Sequence, residues 1–412
     1  MRFSALRAPW YKGYLAGGSL GMGADHVEHA ITYWVIWQAF HSPLLAGFAV
    51  ISHWLPHLLF GVIFGGLADR YDCRRIVQVA QGLFMLASLG WAIVIITGTL
   101  QPWNAVLLLS LHGLASALWG PAEQMMLYDI VGPEDLPSAV RLMATGLNLW
   151  MLVGPLIGAA LLFTVGPAWG LLVNIALYLP FIIYLGIVPH TGHTRAGQTP
   201  RPRLTLRQTF GVLGEIPRYP LVLTVFILQG AVGLFIGTAL LPLLPDFGEL
   251  LGATGSGVGY GALIAAMSFG AVTAGVSLEA IGRIRATAGL AIVSTIVFAA
   301  SLIVFALSHN LVLSVAMLVI AGMGNLTSAS TSQAVVQLGA PADRRGRFLG
   351  AYSMTSMGLR LGSGVLIGVL ASAFGPSVAI GVDAAALLIL ATSLLAVVLV
   401  RRASARPAAT QP

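Results

Sequence analysis

Twelve stretches of mostly apolar residues, each about 20 long and bounded by polar breaks, constrain this chain more than any other feature. A helix of that length crosses the hydrocarbon core of a bilayer while satisfying all of its own backbone hydrogen bonds. The spans fall at approximately 13–39, 44–67, 75–97, 104–127, 140–163, 169–188, 219–243, 257–279, 286–307, 311–334, 348–372 and 377–400. Composition points the same way, since 57% hydrophobic against 8% charged residues leaves too little polar surface for a soluble domain. The expected fold is an all-α polytopic membrane protein with 12 transmembrane helices.

The basic residues fix an orientation. All of the 21 Lys and Arg residues except Arg360 fall in segments that share one side of the membrane if the N-terminus is cytoplasmic. They group as Arg2, Arg7 and Lys12; Arg70, Arg74 and Arg75; Arg141; Arg195, Arg201, Arg203, Arg207 and Arg218; Arg283 and Arg285; Arg344, Arg345 and Arg347; and Arg401, Arg402 and Arg406. Both termini are then expected in the cytoplasm of a cell with a bacterial-type inner membrane. The net charge of +7 reads as loops lying near anionic lipid and excludes a nucleic-acid role. With Cys73 as the one cysteine, an intramolecular disulfide or a cysteine-based metal cluster within the chain is excluded. Residues 1–12 read as a short basic leader entering the first span rather than a cleavable signal peptide.

The longest polar interruption, His190 to Arg218, carries Pro200, Pro202 and Pro217 with five arginines. It predicts a cytoplasmic linker (190–218) between an N-terminal six-helix half (1–189) and a C-terminal six-helix half with a short tail (219–412). The halves read as repeats. Laying GGLADRYDCRR (65–75) over GVSLEAIGRIR (275–285) puts Asp69 on Glu279 and Arg75 on Arg285, and GPED (132–135) falls over APAD (340–343). Parallel six-helix repeats around a midplane cavity are the architecture of carriers whose halves rock about a central site.

GGLADRYDCRR also resembles the loop signature of the major facilitator superfamily, with Asp72 where a glycine is more usual. More narrowly, the segments at 120–162 and 343–370 resemble the enterobactin-exporter and macrolide-efflux branch. The resemblance runs over nearly the whole chain and implies two pseudo-symmetric halves of six helices. It does not identify a substrate. Asp69, at the inner end of the second span, can accept hydrogen bonds from Arg74, Arg75 or a neighbouring helix N-terminus and so lock the cytoplasmic side. Asp69, Arg70, Arg74, Arg75, Glu279 and Arg285 are therefore the expected gating residues. The alternative is a solvated loop whose charges only set topology.

The most unusual chemistry is in the first span, where GADHVEHAITYW puts Asp25, His26, Glu28 and His29 near mid-membrane. Such groups cost roughly 2.5–3.5 kcal/mol apiece at the bilayer centre, so they must face a wet cavity or one another. Asp25, Glu28 and His29 share a face at i, i+3 and i+4. The second span adds His53 and His57, one turn apart. Three readings follow. Asp25 and Glu28 can carry protons, because burial raises a carboxylate's proton affinity and a nearby imidazole tunes it. Asp25, His29, His53 and His57 can form an oxygen and imidazole site for a divalent transition metal. The i, i+4 Asp and His pair is similar to ferroportin-type metal exporters, a related branch. Or the cluster merely pins the first two helices together.

Other intramembrane polar residues complete the candidate cavity. His112, Trp119 and Glu123 form a stripe at i, i+7 and i+11 on the fourth span, which makes His112 and Glu123 cavity candidates. Arg360, in the eleventh span, needs a counter-charge or an anionic substrate, with Asp383 and Glu123 as candidate partners. Tyr33, Trp34 and Trp37 follow the charged cluster and can offer apolar, cation-attracting walls or an interfacial belt. No nucleotide-binding signature occurs, and neither an enzyme nor a cofactor is expected. The expected function is secondary active, proton-coupled export of a small amphiphilic molecule of the drug or siderophore class. Transition-metal or metal-complex export, and lipid transport, are the alternatives. The expected partners are the substrate, protons and membrane lipid, with no nucleic acid, and the carrier is expected to be a monomer.

Overall fold

The computed structural model describes residues 2–41, 43–196, 205–237, 240–251, 258–282 and 284–404. Arg201, Arg203, Arg283 and Arg406 of the basic groups lie outside them. The described residues are nearly all helical, with no strand among them. The first half contains α1 (Tyr11–Phe40), α2 (Pro43–Arg70), α3 (Cys73–Ile96), α4 (Pro102–Thr164) and α5 (Pro167–Ile187). A short α6 (Leu206–Gly211) precedes the second half. That half contains α7 (Pro220–Phe235), α8 (Leu240–Leu250), α9 (Val258–Ile281), α10 (Ala288–Leu307), α11 (Leu311–Gly339), α12 (Arg345–Ser353), α13 (Arg360–Phe374) and α14 (Pro376–Ser404).

Among the described residues, eight helical stretches are long and apolar enough to cross a membrane, one of them (Ala342–Phe374) running through a break. α4 holds two of the twelve expected crossings, and α1, α9 and the pair α7 and α8 lie at the three that those stretches do not cover. In α4 the chain reverses at Gly132, whose φ of 75° a side chain would resist, and Pro133 opens the next crossing with its fixed φ. The seventh crossing is split between α7 and α8. The eleventh is split between α12 and α13 by a π-helical turn, Met354–Gly358. α1 holds together as one helix despite its charges, which are turned into the bundle. Large apolar side chains such as Ile96, Leu156, Phe163 and Val312 are exposed instead, as a lipid-facing surface requires.

The halves are joined at one end of the molecule. There α2 runs against α12 with the backbones nearly touching: a Cβ on Gly65 would lie 2.2 Å from the carbonyl oxygen of Gly346. The second crossing of α4 packs in the same way on α9, where Ala144 meets Ala271 and Ala274 together with Leu326 of α11. Small residues at both seams let polar groups reach across without leaving voids.

Candidate transport site

Asp25, Glu28 and His29 do share the inward face of α1, and a fourth helix completes the site. His112, on the first crossing of α4, has its Nε2 2.6 Å from Asp25 Oδ1 and its Nδ1 2.9 Å from Glu28 Oε1. The position of His112 depends on its neighbour Gly113, where a Cβ would fall 1.8 Å from the carbonyl oxygen of Ser52 on α2. That close approach brings α4, α2 and α1 to a common point. Glu28 is also bound on its far side, by the Ser88 hydroxyl of α3 at 2.5 Å, and is 2% exposed. Asp25 keeps 17% of its side chain exposed, so it is the more accessible of the two acids.

An imidazole with a carboxylate on each nitrogen must donate twice as a cation, or donate once and accept from a protonated acid. Asp25, Glu28 and His112 thus share one or two protons among them. With His112 protonated and both acids ionised the group carries one negative charge, which a second proton removes. Phe84 packs on His112 at 4.7 Å between ring centroids and is itself stacked on Tyr178 at 5.6 Å, which closes the inner wall with apolar surface.

Three imidazoles meet on the cavity side. His29 lies edge-on to His53 at 5.0 Å and to His112 at 4.6 Å between centroids, and one nitrogen from each ring falls within 4.8 Å of the other two. His53 Nδ1 is buried with no hydrogen-bond partner among the described residues. Tyr33 packs edge-on against His29 at 5.0 Å. The metal set expected from sequence changes in one member. His57 is turned away from the cluster to Ser353 on α12, at 2.9 Å, and to Ser116, at 3.3 Å, so His112 takes its place. A turn of helix separates His53 from His57, but Pro56 and the α12 contact direct them to different neighbours.

Glu123 lies deeper on α4, and its Oε1 is buried with no hydrogen-bond partner among the described residues. Gln81 and the Trp119 indole nitrogen are likewise buried and unpartnered, and both side chains face Gly21 of α1. The stripe from His112 to Glu123 therefore exists, but no direct hydrogen bond joins its ends.

Of the partners expected for Asp69, the structure gives a neighbouring helix N-terminus, that of α12, and not the arginines of its own loop. Asp69 does not meet Arg74 or Arg75. Its carboxylate accepts the backbone N–H of Gly346 at 2.6 Å and of Arg347 at 3.1 Å, together with Arg347 Nε at 3.0 Å. Arg74 is held by Asp72, which caps α3, at 2.7 Å, while Arg75 reaches Gln78 and Arg70 lies over the Tyr71 ring. The cause is the direction of the turn: α3 starts beside Asp72 and carries its arginines away from α2. Glu279 sits 1% exposed on α9 and takes Arg141 at 2.7 Å and the Ser138 hydroxyl at 2.5 Å, while Arg285 is exposed. Each acid of the repeat thus pairs with a basic residue of the opposite half. Arg141 and Arg347 were read from the sequence only as topology markers.

Arg360 opens α13, one residue beyond Leu359, which ends the π turn. Neither Asp383 nor Glu123 is its partner: its guanidinium lies over the Trp54 ring at 4.9 Å, its Nε reaches the Ser356 carbonyl at 3.3 Å, and no carboxylate among the described residues comes within 4.0 Å. Ser88, Ser138 and Trp54 gave no pattern of their own, since a lone hydroxyl or indole in an apolar span is common.

Comparison with known proteins identifies what kind of molecule carries this site. The family model of the transmembrane secretion effectors, within the major facilitator superfamily, matches residues 4–411. The chain is similar to the enterobactin exporter EntS of Shigella boydii, 25% identical over 95% of this chain and 91% of that protein. It is similar over a shorter stretch to a Na(+), Li(+), K(+)/H(+) antiporter of Planococcus maritimus, 29% identical over 29% of this chain and 28% of that protein. Among solved structures, a bacterial homologue of the iron transporter ferroportin, in an outward-facing state, superposes with a TM-score of 0.73. It covers 94% of this chain and 98% of that one at 17% identity, a likeness of fold. Family and fold are those of multi-pass membrane transporters of small molecules and not of enzymes.

Proposed function

Because the chain belongs to the transmembrane secretion effector family of the major facilitator superfamily, we propose that it is a secondary active exporter of a small amphiphilic molecule, driven by exchange with protons. The carrying observation is the bridge that His112 makes between Asp25 and Glu28. Three groups that share protons, one of them more accessible than the others, are what a carrier needs to load and unload a proton in alternate states. Asp25 is the exchanging site and Glu28 the inner anchor. His29, Tyr33, His112 and Glu123 line the path, and the enterobactin exporter among its relatives favours a siderophore-like substrate.

In this reading residues 1–189 and 219–412 rock about the site and residues 190–218 tether them. The Asp69 and Glu279 end is cytoplasmic, both termini lie on that side of a bacterial inner membrane, and the carrier works as a monomer in contact with lipid. Asp69 with Arg347, and Glu279 with Arg141, then lock the cytoplasmic side, so the structure stands closed inward.

The second reading is export of a divalent transition metal. His29, His53 and His112 with Asp25 offer the imidazole and oxygen donors such an ion prefers, and His53 Nδ1 lacks a partner. Against it, both nitrogens of His112 are already engaged by carboxylates.

The test is flux in proteoliposomes under an imposed proton gradient, with amphiphilic dyes and a divalent-metal panel compared in wild type, Asp25→Asn and His29→Ala. Dye flux lost mainly in Asp25→Asn, with no metal movement, supports proton-coupled export. Saturable metal flux lost in both variants would replace it with the metal reading.

A further inference from the structure

Arg360 is the point at which the two halves leave a charge unanswered. A guanidinium inside an apolar crossing is strongly unfavourable unless an anion neutralises it. Of its five N–H donors, one is engaged among the described residues, on the Ser356 carbonyl. One face is covered by Trp54 of the opposite half, which contributes a cation–π contact and no charge. The other polar side chains in its electrostatic range, His57 of α2 and Tyr352 of α12, bring no anion, and His57 is held in place by Ser353 and Ser116.

The position adds a second argument. Arg360 lies two residues beyond the π turn Met354–Gly358, a local widening of the helix of the kind found at functional sites, and its guanidinium meets Trp54 of the opposite half. Trp54 lies between Arg360, at 4.9 Å from its ring centroid, and His53, at 4.6 Å between centroids, with His57 at 6.2 Å. One aromatic ring therefore separates the unmatched cation from the His53, His29 and His112 cluster.

We propose that Arg360 is the recognition site for an anionic group on the transported molecule, a carboxylate or phenolate, with the Trp54 face receiving the flat apolar part beside it. This rests on the export reading above and narrows its substrate to amphiphilic anions. A fork of unused N–H donors matches a carboxylate, which accepts two parallel hydrogen bonds, and can also converge on the single oxygen of a phenolate. An inside-negative membrane potential then assists export of the anion.

Trp54 provides a probe of the site that does not depend on transport. Purified full-length protein is titrated with iodide, an anionic quencher, and with acrylamide, a neutral one. The Trp54 signal is taken as the difference between each protein and its Trp54→Phe partner. In wild type the Trp54 component is expected to be quenched by iodide roughly tenfold more effectively, relative to acrylamide, than in Arg360→Gln, in line with local anion enrichment by a focused charge. Arg360→Lys should retain most of the selectivity, since it keeps the charge. An iodide-to-acrylamide ratio that is the same in wild type and Arg360→Gln overturns the anion site, whatever the transport result.

Flux in proteoliposomes then separates this proposal from the export reading. Carboxyfluorescein flux lost in Arg360→Gln while rhodamine 6G flux persists supports the anion site. Equal loss of both dyes assigns Arg360 a structural role and overturns it. Iodide selectivity with no gradient-driven flux of either dye in wild type would leave the anion site standing and reject amphiphile export.

Discussion

Asp69 and Arg347, 278 residues apart in sequence, meet across the two halves, with Arg347 Nε and the backbone N–H groups of Gly346 and Arg347 converging on one buried carboxylate. The acid of one half thereby caps the first turn of a helix of the other. The contact joins a charge pair to the favourable end of a helix dipole.

Removing that acid should open this end. Hydrogen bonds to a charged group contribute about 1.5–3 kcal/mol each, so Asp69→Asn is expected to shift the closed-to-open ratio by about tenfold or more. Spin labels at the exposed positions 75 and 285, in a Cys73→Ser background, should show a longer distance becoming populated by double electron–electron resonance. A distribution unchanged from wild type would remove Asp69 from the gate.

The second seam is expected to respond to pairing rather than to charge alone. Glu279→Gln leaves Arg141 buried without a counter-charge, a loss of roughly 3–5 kcal/mol, whereas an apolar replacement of both partners is often neutral. The same label pair should therefore report more opening in Glu279→Gln than in the double variant Glu279→Leu/Arg141→Met. The reverse order would mean that the seam is held by packing and not by the ion pair.

Proton coupling makes a separate prediction for Asp25. Asn keeps the shape of the side chain and can still hydrogen bond to His112, but it cannot exchange a proton. Asp25→Asn should abolish uphill, gradient-driven flux and leave substrate counterflow, which needs no net proton movement, close to wild type. Loss of counterflow to the same degree would reassign Asp25 to substrate binding.

The imidazole cluster can be judged by which histidine matters. If a divalent ion binds, His112→Ala should weaken Co2+ or Zn2+ binding by about 10-fold or more, and His57→Ala, which alters only the contacts to Ser353 and Ser116, should leave it unchanged. Isothermal titration of the purified chain measures both. Heat changes absent in wild type would eliminate the metal reading.

Much of the candidate site was legible in advance because helical spacing is a local rule. Asp25, Glu28 and His29 had to share a face at i, i+3 and i+4, and ionisable groups in a crossing had to turn inward. His112 and Glu123 fell on one stripe by the same logic. The partners were not legible. His112 is 84 residues from Glu28, Arg141 is 138 from Glu279, and spacing along one helix carries no information about which other helix stands opposite. The exchange of His57 for His112 in the imidazole cluster shows the same limit: both lie on suitable faces, and only the packing of α2 on α12 decides between them.

What the sequence determined by itself was the set of crossings, their twelvefold count and the segregation of arginines, because the bilayer imposes length and polarity on each helix independently. What only the tertiary structure decided was how the charges are paired. Asp69 went to Arg347 and not to Arg74, Glu279 to Arg141 and not to Arg285, and Arg360 to an indole with no acid at all. The first of those pairings depends on the close approach of backbones at Gly65 and Gly346, and the second on the close packing of Gly275 against Thr145. In lipid such packing follows the fit of small residues between helices, a property of two surfaces together that neither segment carries alone.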